Sequence, residues 1–288
     1  MAVYKRTYKS YAGDLTPEWS RFMVIPRYAW RTLFQQRLIT ILYVICFFYP
    51  LGAALVIYFN HNTGFLAQYM PVPQGGFLKI ESSFFYYFVS VQCSLAFLLT
   101  SFIGPGLVSP DLTNNALPLY FCRPLSRAGY VAGKVMVIAG LLSFITWIPG
   151  LLLFLMQAGL ADKAWFDANG YLAGAIFFSC ILWILLISVM ACALSAWVRW
   201  KIVAGALMLV ILFLGAGLAE MIREVARTDS GGWLDMANNM SRVWMSLFRI
   251  RTEHAFTLQE SILDLLLFMG LWIFLLTRKI KAYEVVRG

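Results

Sequence analysis

The sequence predicts an all-α, polytopic membrane protein. It has six transmembrane helices, an N-terminal amphipathic helix at the interface, a short cytoplasmic helix between spans two and three, and an outer amphipathic helix between spans five and six. Three observations predict this class. Of 288 residues, 61% are hydrophobic and only 13% are charged, whereas a soluble domain carries about 25% charged residues. Mean hydropathy is +0.73. Six stretches also reach the roughly 20 apolar residues that a spanning helix needs: 39–59, 84–108, 131–160, 171–198, 202–219 and 261–277. No charged side chain lies well inside these cores, and their polar groups are mild: Gln92, Ser94, Thr100, Ser143, Thr146 and Ser188. The chain reads as one domain, 1–288, with 39–277 as its six-span region.

Orientation follows from the placement of Lys and Arg. The N-terminal segment, the second and fourth loops and the C-terminal tail together hold sixteen of them, and the other three loops hold seven. Both termini are therefore expected in the cytoplasm, with the chain multi-pass in a plasma (bacterial inner) membrane. The net charge of +9 is spread between apolar runs as a topology signal, so the expected partner is membrane lipid and not nucleic acid. The polar N-terminus lacks the apolar core of a cleavable signal peptide.

The first element outside the spans is 17–37, PEWSRFMVIPRYAWRTLFQQR. Trp19, Phe22, Met23, Trp30, Leu33 and Phe34 follow helical spacing, with Arg21, Arg27, Arg31 and Arg37 among the other positions. Such a helix lies in the headgroup plane, aromatics in lipid and arginines at phosphates. Trp19, Phe22, Arg27, Trp30, Arg31 and Phe34 are its interface residues. Pro26 is expected to kink or restart it.

The second is 109–130. Gly104, Pro105 and Gly106 are expected to break span two. Ser109 then caps a helix, Pro110 suits its first turn and Asp111 favours its positive end. Pro118 is expected to stop it after Leu117. The segment reads as a foot projecting towards a partner. The third element is 233–256, where Trp233, Met236, Met240, Val243, Trp244, Leu247 and Phe248 recur at helical steps. It is read as a helix lying on the outer face or dipping into it. Asn239-Met240-Ser241 there matches a glycosylation acceptor.

Other chemistry is sparse. Of five cysteines, Cys46, Cys93, Cys180 and Cys192 lie in apolar runs, as Cys122 does not, and none forms a CxxC pair. His61 and His254 are far apart in sequence, and no metal site is expected. Gly133-Lys134 resembles the end of a nucleotide loop, but that loop needs an earlier glycine and a following hydroxyl. Ala128 and Val135 stand there instead. Lys134 reads as an edge cation whose stem snorkels.

These residues carry a family resemblance. The segment is similar to the loop between spans two and three of ATP-binding-cassette type-2 permeases, the export-type membrane subunits. That loop has an acidic residue, Gly-Thr-Leu, a Pro-hydrophobic-Ser-Arg box and a Gly-Lys that opens span three. Asp111, Leu117, Pro124-Leu125-Ser126-Arg127 and Gly133-Lys134 match it. Asn115-Ala116 replaces Gly-Thr, and Pro118 follows the leucine.

The resemblance implies that the 109–130 segment holds a coupling helix seated in a groove of a separate ATPase. It also implies a second permease, identical or homologous, and two ATPase copies beneath. The chain itself would bind no cofactor, with ATP and Mg held by the partner ATPase. Asp111, Leu112, Asn115, Leu117, Tyr120, Phe121, Arg123, Pro124 and Arg127 are the expected coupling residues, with Leu117 and Phe121 entering the groove. The substrate path would run along spans two and five, and Gln92, Thr100, Met208 and Phe213 are assigned to it.

Two other classes compete with this permease, which would be no enzyme itself. A membrane-embedded transferase needs an acid, base or nucleophile at the membrane boundary, and Glu220, Glu224, Asp235, Glu253, His254 and Asp264 are its candidates. A non-transporting assembly factor would share the partner ATPase. Cores without charges favour a lipidic, amphipathic or neutral cargo over a strongly ionic one.

Overall fold

The computed structural model describes residues 17–62, 79–121, 125–227, 229–250 and 257–280. All regular structure among them is helical. A 3-10 turn, Glu18–Met23, leads into α1, Val24–Phe34. Of the two outcomes expected at Pro26, a kink or a restart, the structure has the restart: the 3-10 segment ends at Met23 and the α-helix begins at Val24. Pro26 sits in the first turn, where an amide would have no helical acceptor to lose. The first span is α2, Arg37–His61. The second is α3, Ser82–Ile103, continued by α4, Pro105–Thr113, and then comes a short α5, Leu117–Phe121. The third is α6, Arg127–Ile145, continued by α7, Trp147–Leu160. A short α8, Lys163–Asn169, precedes α9, Tyr171–Trp197, and α10, Lys201–Ala226. A second 3-10 turn, Asp229–Leu234, leads to α11, Met236–Leu247, and the last span is α12, Leu258–Lys279.

Six units, Arg37–His61, Ser82–Thr113, Arg127–Leu160, Tyr171–Trp197, Lys201–Val225 and Leu258–Lys279, are long and apolar enough to cross a membrane. Each predicted span lies on one of them. α10 continues past the predicted end at 219, because Glu220 and Arg223, one turn apart and 2.7 Å from each other, are polar yet compatible with helix.

α9 is the hub of the bundle. It packs against α3, α4, α6, α7, α10, α11 and α12. Some 72% of its apolar window is buried, against 17% for α2 and 22% for α10 and α12, so the last three form the periphery. α1 packs across the start of α6, and we refer to that end of the bundle as the α1 end and to the other as the far end.

At the far end the chain folds back into the bundle. The 3-10 turn Asp229–Leu234 runs back beside α10, where Gly215 makes room: a Cβ there would collide with the Leu234 carbonyl oxygen. Asp235 caps α11 by accepting from Asn238 N at 2.9 Å. Met236, Met240, Val243 and Trp244 form its buried face. The Trp244 indole donates to Ser179 O at 3.1 Å. Met240 shares a small apolar cavity with Leu182 and Leu186 of α9. Tyr171 and Leu182 are separated by roughly 16 Å along α9 at 1.5 Å per residue. α11 therefore packs beside α9 and α12, with Asn239, Met240 and Trp244 covered by protein. Asn239 is 2% exposed, which rules it out as a glycan acceptor in the folded chain.

Candidate functional site at the α1 end

The second span bends at Gly104-Pro105. Gly104 keeps helical dihedrals (φ −55°, ψ −45°), so the chain passes directly from α3 into α4. Pro105 has no N–H, and Ser101 O loses its helical donor. Gly205 of α10 packs against that oxygen, which any Cβ would displace. The Ser195 hydroxyl of α9 enters the next turn. It accepts from Val108 N and Ser109 N, both at 3.0 Å, and donates to Pro105 O at 2.8 Å. A side chain inserted into the helical ladder is an established cause of a kink. Ser109 Oγ donates to Arg199 O at 2.7 Å. Ser109 thus lies inside α4 and is not the predicted cap: the expected break falls at Gly104, where α3 ends, and α4 begins at once at Pro105, four residues before Ser109.

α4 stops at Thr113, before the predicted end at Leu117. Asn115 turns the chain with φ +50°, a region that Asn tolerates better than most residues. Pro118 falls in the first turn of α5 and starts that helix where a stop was expected.

The acidic residue and the lysine of the motif meet. Lys134 Nζ lies 2.7 Å from Asp111 Oδ2 and donates to Leu107 O at 2.6 Å. The Tyr130 hydroxyl donates to the same carboxylate oxygen at 2.7 Å, and the Tyr130 ring centroid lies 5.5 Å from the ammonium. Lys134 is 7% exposed. The snorkelling reading is corrected: a carboxylate, a carbonyl and a ring replace the water this ammonium gives up. The last turn of α4 is thereby tied to the first turns of α6.

Leu117 is buried within the chain and Leu112 is half-buried, so Leu117 does not project outward as expected. Tyr120 and Phe121 are half-buried against Tyr130, with ring centroids 5.3 and 6.1 Å away. Burial, and then the Asp111 carboxylate, push the Tyr120 phenol above its ordinary pKa. The outward surface of the segment is Asn115, Pro118 and Leu119, the last 70% exposed. No spacing signal distinguishes Leu119 from Leu117, since facing in so short a helix is set by what it packs on. Arg127 is exposed at the start of α6, where Ser126 Oγ accepts from Gly129 N at 3.0 Å. Arg123 and Pro124 lie outside the described residues.

The N-terminal helix completes this end. Trp30 is half-buried in protein, contrary to its expected place in lipid. Its indole donates to Val137 O at 2.9 Å, and its ring fills the space a Gly140 side chain would occupy. Phe22 is half-buried beside Gly129, whereas Arg27 and Arg31 are exposed. Phe34 is exposed on one side and meets Tyr43 edge-on at 5.3 Å. The Trp19 side chain lies outside what the structure describes.

The residues assigned to a substrate path do not line a common space. Gln92 is fully buried, and its Nε2 donates to Cys46 O and to Ile145 O. Both carbonyls lie four residues before a proline, Pro50 and Pro149, and so have lost their helical donors. Gln92 is a structural knot between three spans. Thr100 is buried and donates to Ala96 O at 2.7 Å. Met208 is buried, whereas Phe213 is 70% exposed on the periphery.

The acidic candidates are likewise dispersed. Glu220 pairs with Arg223, Glu224 is exposed and Asp235 caps α11. Asp264, buried in α12, accepts from Asn239 Nδ2 at 2.6 Å, and Asn239 Oδ1 accepts from Ser261 Oγ at 3.2 Å. Glu253 and His254 lie outside the described residues. No protein-family model and no curated protein matches the chain. The fold defines a helical, multi-pass membrane protein whose most elaborated polar site is the α4–α6 junction.

Proposed function

We propose that this chain is the membrane subunit of an ATP-binding-cassette exporter of the type-2 class. It pairs with a second permease, identical or homologous, and transmits motion from two separate ATPase subunits. The observation that carries this reading is the Asp111–Lys134 pair, buried at the lysine and half-buried at the aspartate. It joins the two ends of the segment whose residues resemble the family loop. A foot that conveys force must not bend within itself. Here α4 is held by Ser195 of α9 and by the Arg199 carbonyl just past that helix on one side, and by Lys134 and Tyr130 of α6 on the other. A push on the loop therefore reaches three spans at once. In this reading the α1 end is cytoplasmic, and Leu119 is the apolar tip that meets the ATPase.

The test is co-purification of the full chain expressed with its neighbouring genes. An ATP-binding-cassette ATPase is expected in the complex. Leu119→Asp is expected to lower its yield at least tenfold, with the chain's thermal unfolding unchanged, as an exposed site allows. If no such ATPase is recovered with the native chain, the reading fails. If Leu119→Asp leaves the complex intact, α5 is not the contact.

A further inference from the structure

A cleft of about 500 Å³ opens between α2 and α3 at the far end, a volume within the range of ligand sites. Its inner wall is the stacked pair Tyr49 and Phe88, centroids 5.6 Å apart. It follows α2 from Tyr49 to Val56, roughly 10 Å at 1.5 Å per residue. Gly52 forms its floor, and nothing lies within 4 Å of where a Gly52 side chain would begin. The mouth carries an ammonium and a hydroxyl, Lys79 and Ser83. Lys79 is exposed and makes no ion pair among the described residues. The lining is apolar towards mid-span and cationic at the end of the span. That is the polarity of a single amphiphile with an anionic head.

We infer that this cleft holds an anionic phospholipid of the surrounding bilayer, one acyl chain along Gly52 and Val56 and the phosphate at Lys79 and Ser83. An aliphatic chain fits a trough floored by glycine, because the missing side chain gives it width. A phosphate at the mouth gives Lys79 a counter-charge that no ion pair among the described residues supplies. The inference does not depend on the exporter reading, since a resident lipid of this kind would bind whether or not the chain transports.

The experiment uses the full chain in vesicles of equal phosphatidylglycerol and phosphatidylcholine, each in turn carrying the same diazirine acyl chain. Photolabelled peptides are mapped by mass spectrometry. Label from phosphatidylglycerol is expected to exceed that from phosphatidylcholine roughly five-fold at residues 48–56 and 83–88, the discrimination one lysine near a lipid surface confers. No such preference is expected on the peripheral helix α12. Lys79→Gln should bring the cleft ratio to that of α12, and Gly52→Phe should remove cleft labelling by both lipids while leaving α12 labelled. Equal ratios at the cleft and α12 in the native chain would mean ordinary annular lipid and would overturn the inference. So would the absence of any lipid label in the cleft, the outcome if residues 63–78 of the chain itself fill it. Retention of the preference in Lys79→Gln would overturn the assigned headgroup site.

Discussion

Gln92 donates from one amide nitrogen to the two carbonyls left without helical donors by Pro50 and Pro149. In hydrocarbon such carbonyls have no water to turn to. Gln92→Leu keeps the bulk and removes both bonds, so it should lower stability by about 1–3 kcal/mol. Thermal unfolding in detergent reads this out, and an unchanged midpoint would show that the knot carries no energy. The Asp111–Lys134 pair is a different case, because each charge is tolerated only with its partner. Asp111→Asn and Lys134→Met should each cost about 3–5 kcal/mol, and the double variant less than the two together. Strict additivity in a double-mutant cycle would mean that the pair is not coupled.

At the scale of elements, α1 is attached by shape. Gly133 and Gly140 lie seven residues apart on α6, and between them they admit Ile25 and Trp30. Gly140→Val puts a branched side chain where the Trp30 ring lies and should release α1 while the spans stay folded. Trypsin then gains access at Arg27 and Arg31, both exposed already but on a helix held in place. Limited proteolysis should show cleavage there at least several-fold faster than in the native chain. Equal rates would mean that α1 is held by something other than this slot.

At the scale of the whole molecule, α9 is surrounded, and α2, α10 and α12 present apolar faces outward. Phe48, Phe213, Ile202 and Leu266 are each at least 60% exposed, as lipid-facing or subunit-facing residues are. Alternation of six spans puts Arg127 at the α1 end and Lys163 at the far end, both exposed. Arg242, which the charge count assigns to the outer loop, is only 8% exposed and is a poor reporter of sidedness. In a background lacking the five native cysteines, Lys163→Cys should react with an impermeant thiol reagent in intact cells and Arg127→Cys only after lysis. The reverse pattern would invert the assigned topology.

The six spans were legible in the sequence, because twenty apolar residues in a row have few alternatives in water or lipid. The helical character of 24–34 and 236–247 was legible too, because apolar residues recurred at helical steps. What surrounds those faces was not. Trp30 reads equally well as a lipid anchor or as a side chain in a protein slot, and only Gly140, more than a hundred residues away, decides between them. Lys134 reads as an edge cation until Asp111 is seen beside it. Ser109 reads as a cap because its true constraints, Ser195 on α9 and the Arg199 carbonyl just past that helix, lie far away in the chain. The sequence by itself determined that the chain carries six helices long and apolar enough to cross a membrane, and where they lie, since those follow from local transfer free energies. Only the tertiary structure decided which polar groups meet, because hydrogen bonds and ion pairs act over about 3 Å between residues that no local pattern brings together.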